Sequence, residues 1–158
     1  MPETVLVSAC LVGLCSRYDG QCRADSRILD FFTSRGLVPI PVCPEQYGGL
    51  STPRPRTWFT LGDGRKVLDG CGDLLSDNGE KMNGAFIRGA LETLKTAQMT
   101  GCKTALLKER SPSCGVHHVY LEERIVPGCG VTTALLREKG FKVFNEEELE
   151  KLIECLNK

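Results

Sequence analysis

Hydrophobic positions along this chain follow two rhythms. Short apolar runs rich in branched side chains read as strands: ETVLVSA at 3–9, a buried one, then GLVPIPV at 36–42, KTALLK at 103–108 and FKVF at 141–144. Pro39 and Pro41 remove two backbone donors from the second run, which makes it irregular or places it near an edge. Between these runs the apolar residues recur every three or four positions, the period of a helix with one buried face. DSRILDFFTSRG predicts a helix capped by Asp25 or Ser26, with Ile28, Leu29 and Phe32 on one face and Gly36 as its stop. A long helix is expected over 81–99, on a stripe of Phe86, Ala90, Leu94 and Ala97. VTTALLREKG reads as a short helix closed by Gly140. In NEEELEKLIECL, Asn145 caps while Glu148 reaches back, and Leu149, Leu152, Ile153 and Leu156 form the core stripe.

Strands alternating with helices imply a single α/β domain over 1–158. Its sheet is expected to be mainly parallel, of about four to five strands, with helices on both faces in Rossmann-like or flavodoxin-like layers. The stretch from Pro44 to Glu80 breaks the rhythm. It is rich in Gly and Pro and reads as a long functional loop folded over a site.

Charge narrows the possible partners. Lys plus Arg and Asp plus Glu both total 20 among 158 residues, and no basic stripe appears, so a nucleic-acid backbone is not the expected partner. No apolar run approaches the roughly 18 residues that span a bilayer. The opening MPETVLVSACLVGLC lacks the basic-then-apolar pattern of an export signal, and a cytoplasmic protein is expected.

The 9 cysteines change the picture most. In a reducing compartment they point to metal, catalytic or buried thiols. Cys10 follows the first strand, Cys43 the second, and Cys114 the KTALLK strand after one turn. In a parallel sheet those strand ends share one edge, where open α/β sheets bind ligands, so the three thiols should converge. Cys155 and Cys102 read as packing residues, while Cys15 and Cys22 flank the first turn. Cys129 opens a helix in PGCGVTT and could be a fourth ligand or a buried small residue. Three converging thiolates suit either zinc or an iron–sulfur cluster. Both prefer four protein ligands, and three leave one metal position open for Lewis-acid chemistry.

Five segments carry a resemblance: SACLVGLCSRYDG at 8–20, PVCPEQYGGLSTPRPR at 41–56, FIRGA at 86–90, LKERSPSCG at 107–115 and GCGVTTALLREKGFKVF at 128–144. In this order they resemble the thiouracil desulfidase family, earlier catalogued as a domain of unknown function. The resemblance implies a 4Fe–4S cluster on Cys10, Cys43 and Cys114, with one iron open to the sulfur of a small thiolated heterocycle. It also implies removal of that sulfur by water without net redox change. The carboxylate of CPE matches Glu45, expected to take a proton from water, and the first serine of SPSCG matches Ser111, expected to donate a hydrogen bond to substrate. Asp19, Arg54 and Ser113 are the candidate substrate contacts, although Asp19 is better suited to a turn with Gly20, Arg54 and Arg56 equally to solvent, and Ser111 equally to a turn or capping role. His117 and His118 are adjacent and point apart, which argues against a shared metal.

The chain also departs from the family. Members carry Cys directly before RYDG where this chain has Ser16, and the segments LSDNGEKMNGA and VYLEERIV replace family motifs. Substrate identity rests on those segments. Two other classes, a non-catalytic iron–sulfur or sulfur-carrier protein and a structural zinc protein, remain compatible with the thiols alone.

Overall fold

The computed structural model describes residues 2–158. The four runs read as strands are all strands: β1 (Thr4–Ser8), β2 (Val38–Val42), β5 (Thr104–Leu107) and β8 (Lys142–Asn145). They form one fully parallel sheet in the order β2-β1-β5-β8, and the Pro-containing β2 lies at its edge as its missing donors require. Alternate residues enter different cores. Val5, Val7 and Leu106 pack with Ile28, Phe31, Phe32 and Leu152 on one side. Leu6, Ala105 and Leu107 pack with Phe86, Ala90, Leu94 and Leu135 on the other. The first side is covered by α1 (Ser26–Arg35) and α6 (Leu149–Leu156), the second by α4 (Asn83–Met99) and α5 (Val131–Glu138).

Local chemistry sets the helix ends. The Asp25 side chain accepts from the Arg27 amide at the start of α1, and Gly36 closes it in the left-handed region at φ 63°. Leu29 is a correction: it is 40% exposed and Phe31 takes its place, because i, i+3 and i+4 from Ile28 face the sheet whereas i+1 turns about 100° away. The Asn145 amide donates to Glu148 Oε1 at 3.1 Å, so the reach-back expected of the last helix is made, although Asn145 itself ends β8.

The second correction concerns the long loop. Residues 44–80 contain α2 (Pro44–Tyr47), β3 (Thr57–Leu61), α3 (Gly64–Leu68) and β4 (Asp73–Ser76). β3 and β4 pair antiparallel and join the hairpin of β6 (His118–Leu121) and β7 (Arg124–Pro127) in a second sheet, ordered β4-β3-β6-β7. TWFTL and VYLEERIV carry the aromatic and branched residues that sheets favour. The Gly and Pro between them masked that signal. α2 lies directly on α4, where a Cβ on Gly89 would collide with the Pro44 carbonyl. That close approach fixes the turn after β2, which carries Cys43 and Glu45.

Candidate active site

β1, β2 and β5 end at one edge, with Ser8 in register with Val42 and Val7 with Leu106. Cys10 sits in a 3-10 turn (Ala9–Val12) directly after β1. Cys43 is the residue that caps α2, with Pro44 at the first helical position. Cys114 lies in the turn after β5, where Ser111 Oγ accepts from the Ser113 amide at 3.2 Å and the Cys114 amide at 3.1 Å. The turn rests on the start of α5: the amides of Val131 and Thr132 donate to the carbonyls of Pro112 and Ser113 at 3.0 and 2.8 Å. Gly130 makes this possible, since a Cβ there would strike the Ser113 carbonyl. The glycine-flanked Cys129 segment is thus a seat for the Cys114 turn.

One cavity of about 450 Å³ is lined by Cys10, Cys43 and Cys114 together with Glu45, Ser111 and Ser113. Burial pushes the Cys114 thiol up to about 12 and also raises Cys10, which Arg17 and Lys108 pull back in part. Among the described residues, no three His, Cys, Asp or Glu side chains close tightly enough to hold a single metal ion.

Glu45 is not a solvated loop charge. Its side chain is 12% exposed, Arg54 Nε donates to Oε1 at 2.9 Å and Ser113 Oγ donates to Oε2 at 3.0 Å. Arg54 also lines the cavity, with only 5% of its side chain exposed, so it is not a solvated residue either. Arg56 stacks on Tyr120 with its guanidinium 4.8 Å from the ring centroid.

Other candidates lie elsewhere. Asp19 accepts from the Gln21 amide at 3.0 Å in an exposed turn and does not line the cavity. Cys129 is also outside it: its amide donates to Asp63 Oδ2 at 3.1 Å and its Sγ lies 3.9 Å from the same oxygen. His117 pairs with Glu148 at 2.9 Å on the surface. Cys102 is buried at the amino end of β5, Cys155 is half-buried on α6, and Cys71 is exposed. Cys15 and Cys22 form a disulfide across the first turn, a departure from the reduced thiols expected. Both half-cystines lie on the surface.

Sequence reasoning missed Glu109. Its buried carboxylate accepts from the amides of Val116, His117 and His118 at 2.7, 3.0 and 3.1 Å, and so closes the Cys114 turn into a ring. A charged residue just beyond a fully apolar strand was the available signal.

The chain matches the model of the 2-thiouracil desulfurase family over residues 5–148. It belongs to that family. It is 36% identical over 152 residues to the uncharacterized protein YbbK of Bacillus subtilis (strain 168), covering 94% of this chain and 99% of YbbK. The solved structure of the 4Fe–4S-dependent thiouracil desulfidase TudS is 38% identical, with a TM-score of 0.84 and 98% of each chain covered. That superposition bears out the single α/β architecture. The second sheet and the Cys15–Cys22 bond are features of this desulfurase-family chain that its motifs did not announce.

Proposed function

We propose that this protein removes sulfur from a small thiolated nucleobase of the 2-thiouracil type, giving the oxo compound and sulfide. The observation that carries the reading is the meeting of three thiols and a held carboxylate in one cavity. The donor set fits a 4Fe–4S cluster. Cys10, Cys43 and Cys114 come from three separate strand ends, and ligands to different irons stand around a wider body than ligands to one ion. Two of the thiols are held as acids by burial, and a thiophilic metal would take them as thiolates with release of their protons. When bound, the cluster would supply a Lewis-acidic iron toward a thiocarbonyl sulfur.

The protein's own groups do the rest. Glu45 faces the cavity as a carboxylate and takes a proton from the attacking water. Water's oxygen bonds to the carbon, the carbon–sulfur bond breaks, and the carbon keeps its oxidation level because oxygen replaces sulfur. Ser111 has its oxygen occupied by two amides, and because Ser113 gives its own proton to Glu45, the Ser111 hydroxyl donates to Ser113 Oγ at 3.0 Å until a ring carbonyl takes over that donor. Lys108 and Arg17 add positive charge to the wall, which suits an electron-rich thioamide. No helix among the described residues is long and apolar enough to cross a membrane. The proposed partner is the small molecule alone, in a cytoplasmic setting.

Anaerobic purification with iron and sulfide quantification, then incubation with 2-thiouracil in water labelled with heavy oxygen, tests this. Uracil carrying the label, with an equal amount of sulfide, is expected. Release of unlabelled product, or a colourless protein without iron, would overturn it.

A further inference from the structure

Arg54 and Ser113 were read from sequence as substrate contacts, and the hydrogen bonds around them point elsewhere. A guanidinium has five N–H donors. Arg54 spends Nε on Glu45 Oε1 at 2.9 Å. One terminal nitrogen donates to the Ser51 carbonyl at 3.3 Å and Thr52 Oγ1 at 2.9 Å. The other donates to the Ser16 carbonyl at 2.9 Å and lies 3.9 Å from Cys43 Sγ. All its donors are engaged. Ser113 is 2% exposed, and its hydroxyl donates to the second Glu45 oxygen at 3.0 Å.

Glu45 is therefore held at both oxygens from two different elements. The Arg54 contact comes from the segment before β3, and the Ser113 contact from the turn that carries Cys114. A glutamate side chain has three torsions to fix, and a single contact would leave it free to swing. Two contacts leave it one orientation, and a carboxylate has about four lone-pair sites, so accepting two bonds still leaves room for water. Arg54 also ties the Ser16 carbonyl to the Cys43 sulfur, so the base and a thiol share one anchor.

We propose that Arg54 and Ser113 are positioning residues that clamp Glu45 over the cavity, and that neither touches the substrate. This inference rests on Glu45 acting as the base in the desulfuration proposed above.

The cluster-loaded enzyme is the material for the test. Arg54→Lys keeps a charge but loses the fork. With 2-thiouracil, Arg54→Lys and Ser113→Ala should each lower kcat by ~10–100-fold with KM within about twofold. Uracil affinity by calorimetry and iron content should match wild type. Combined with Glu45→Gln, neither should lower kcat further, because both act through that carboxylate. A tenfold loss of uracil affinity or rise in KM at steady kcat would make either residue a substrate contact and overturn the clamp. Losses that multiply with Glu45→Gln would overturn it too. Failure of the desulfidase reading shows differently, as wild type that releases no sulfide. In that event a thermal-unfolding cycle of Arg54→Met with Glu45→Gln still decides the clamp: coupled effects uphold it, additive ones overturn it.

Discussion

Asn145 Nδ2 donates to Glu109 Oε2 across 2.6 Å, joining the chain just past β5 to the end of the neighbouring strand β8. The same carboxylate holds the amides that close the Cys114 turn. Burial pushes Glu109 up, but the amides of His118, His117 and Arg110 and the Asn145 side chain outweigh it and hold it at about 2, below the ordinary 4.5. A folded value below the unfolded one stabilises the protein above the unfolded pKa. That contribution is lost as pH falls from about 4.5 to about 2. A shift of that size is worth about 3 kcal/mol. Denaturant unfolding of wild type and Glu109→Gln should therefore differ by up to about 3 kcal/mol at pH 7 and converge toward pH 2. A difference constant with pH would remove Glu109 from this role.

Cluster assembly separates the cysteines. Cys10→Ala, Cys43→Ala and Cys114→Ala are each expected to lose iron and brown colour, while Cys102→Ala and Cys155→Ala keep both. Iron and sulfide assays under nitrogen check this. Full iron in Cys114→Ala would break the three-ligand scheme.

Glu45→Gln keeps the size of the side chain but cannot accept water's proton. Iron content should hold while thiouracil turnover falls by ~10²-fold or more. The variant should also melt earlier, because Arg54 is left buried opposite a neutral amide. Turnover at the wild-type rate would move the base role to another group.

Cys129 faces Asp63 beneath the Cys114 turn, and burial, then the Asp63 carboxylate, raises its thiol. Cys129→Ala should leave iron content, turnover and the paramagnetic resonance spectrum unchanged, at about 1 kcal/mol of stability. A changed spectrum would make it a ligand after all.

The Cys15–Cys22 bond leaves 7 free cysteines of 9. Metal-stripped protein denatured without reductant should show that free-thiol number by thiol titration, and all nine after reduction. Cys15→Ser should lose about 2–3 kcal/mol through the reopened loop. Nine reactive thiols before reduction would refute the bond.

The parallel sheet was legible because its central strands β1 and β5 are buried on both faces, and a continuous apolar run is what such burial demands. α1, α4, α5 and α6 followed from their spacing, with Leu29 misplaced on the wheel, whereas α2 and α3 lie in the stretch read as a loop. β3, β4 and the β6–β7 hairpin were not legible. These strands are no shorter than β5 and β8, but their residues alternate between buried and more exposed positions or lie mostly at the surface, so no continuous apolar run marks them. β3 meets β6 at a single register pair, Phe59 with Leu121. The convergence of Cys10, Cys43 and Cys114 needed only strand order and direction.

By itself the sequence determined the layers, the edge on which three thiols gather, and the residue types available there. Period and burial are local properties, set by which neighbours along the chain are apolar. The roles of Arg54, Ser113, Glu109 and Cys129 were decided only by the tertiary structure. Each depends on where a donor or acceptor from a distant segment stands: Ser113 meets Glu45 from 68 residues away and Cys129 meets Asp63 from 66. Hydrogen bonds are directional and reach about 3 Å. A polar residue therefore becomes a clamp, a seat or a solvated charge according to packing that its own neighbours in sequence do not encode.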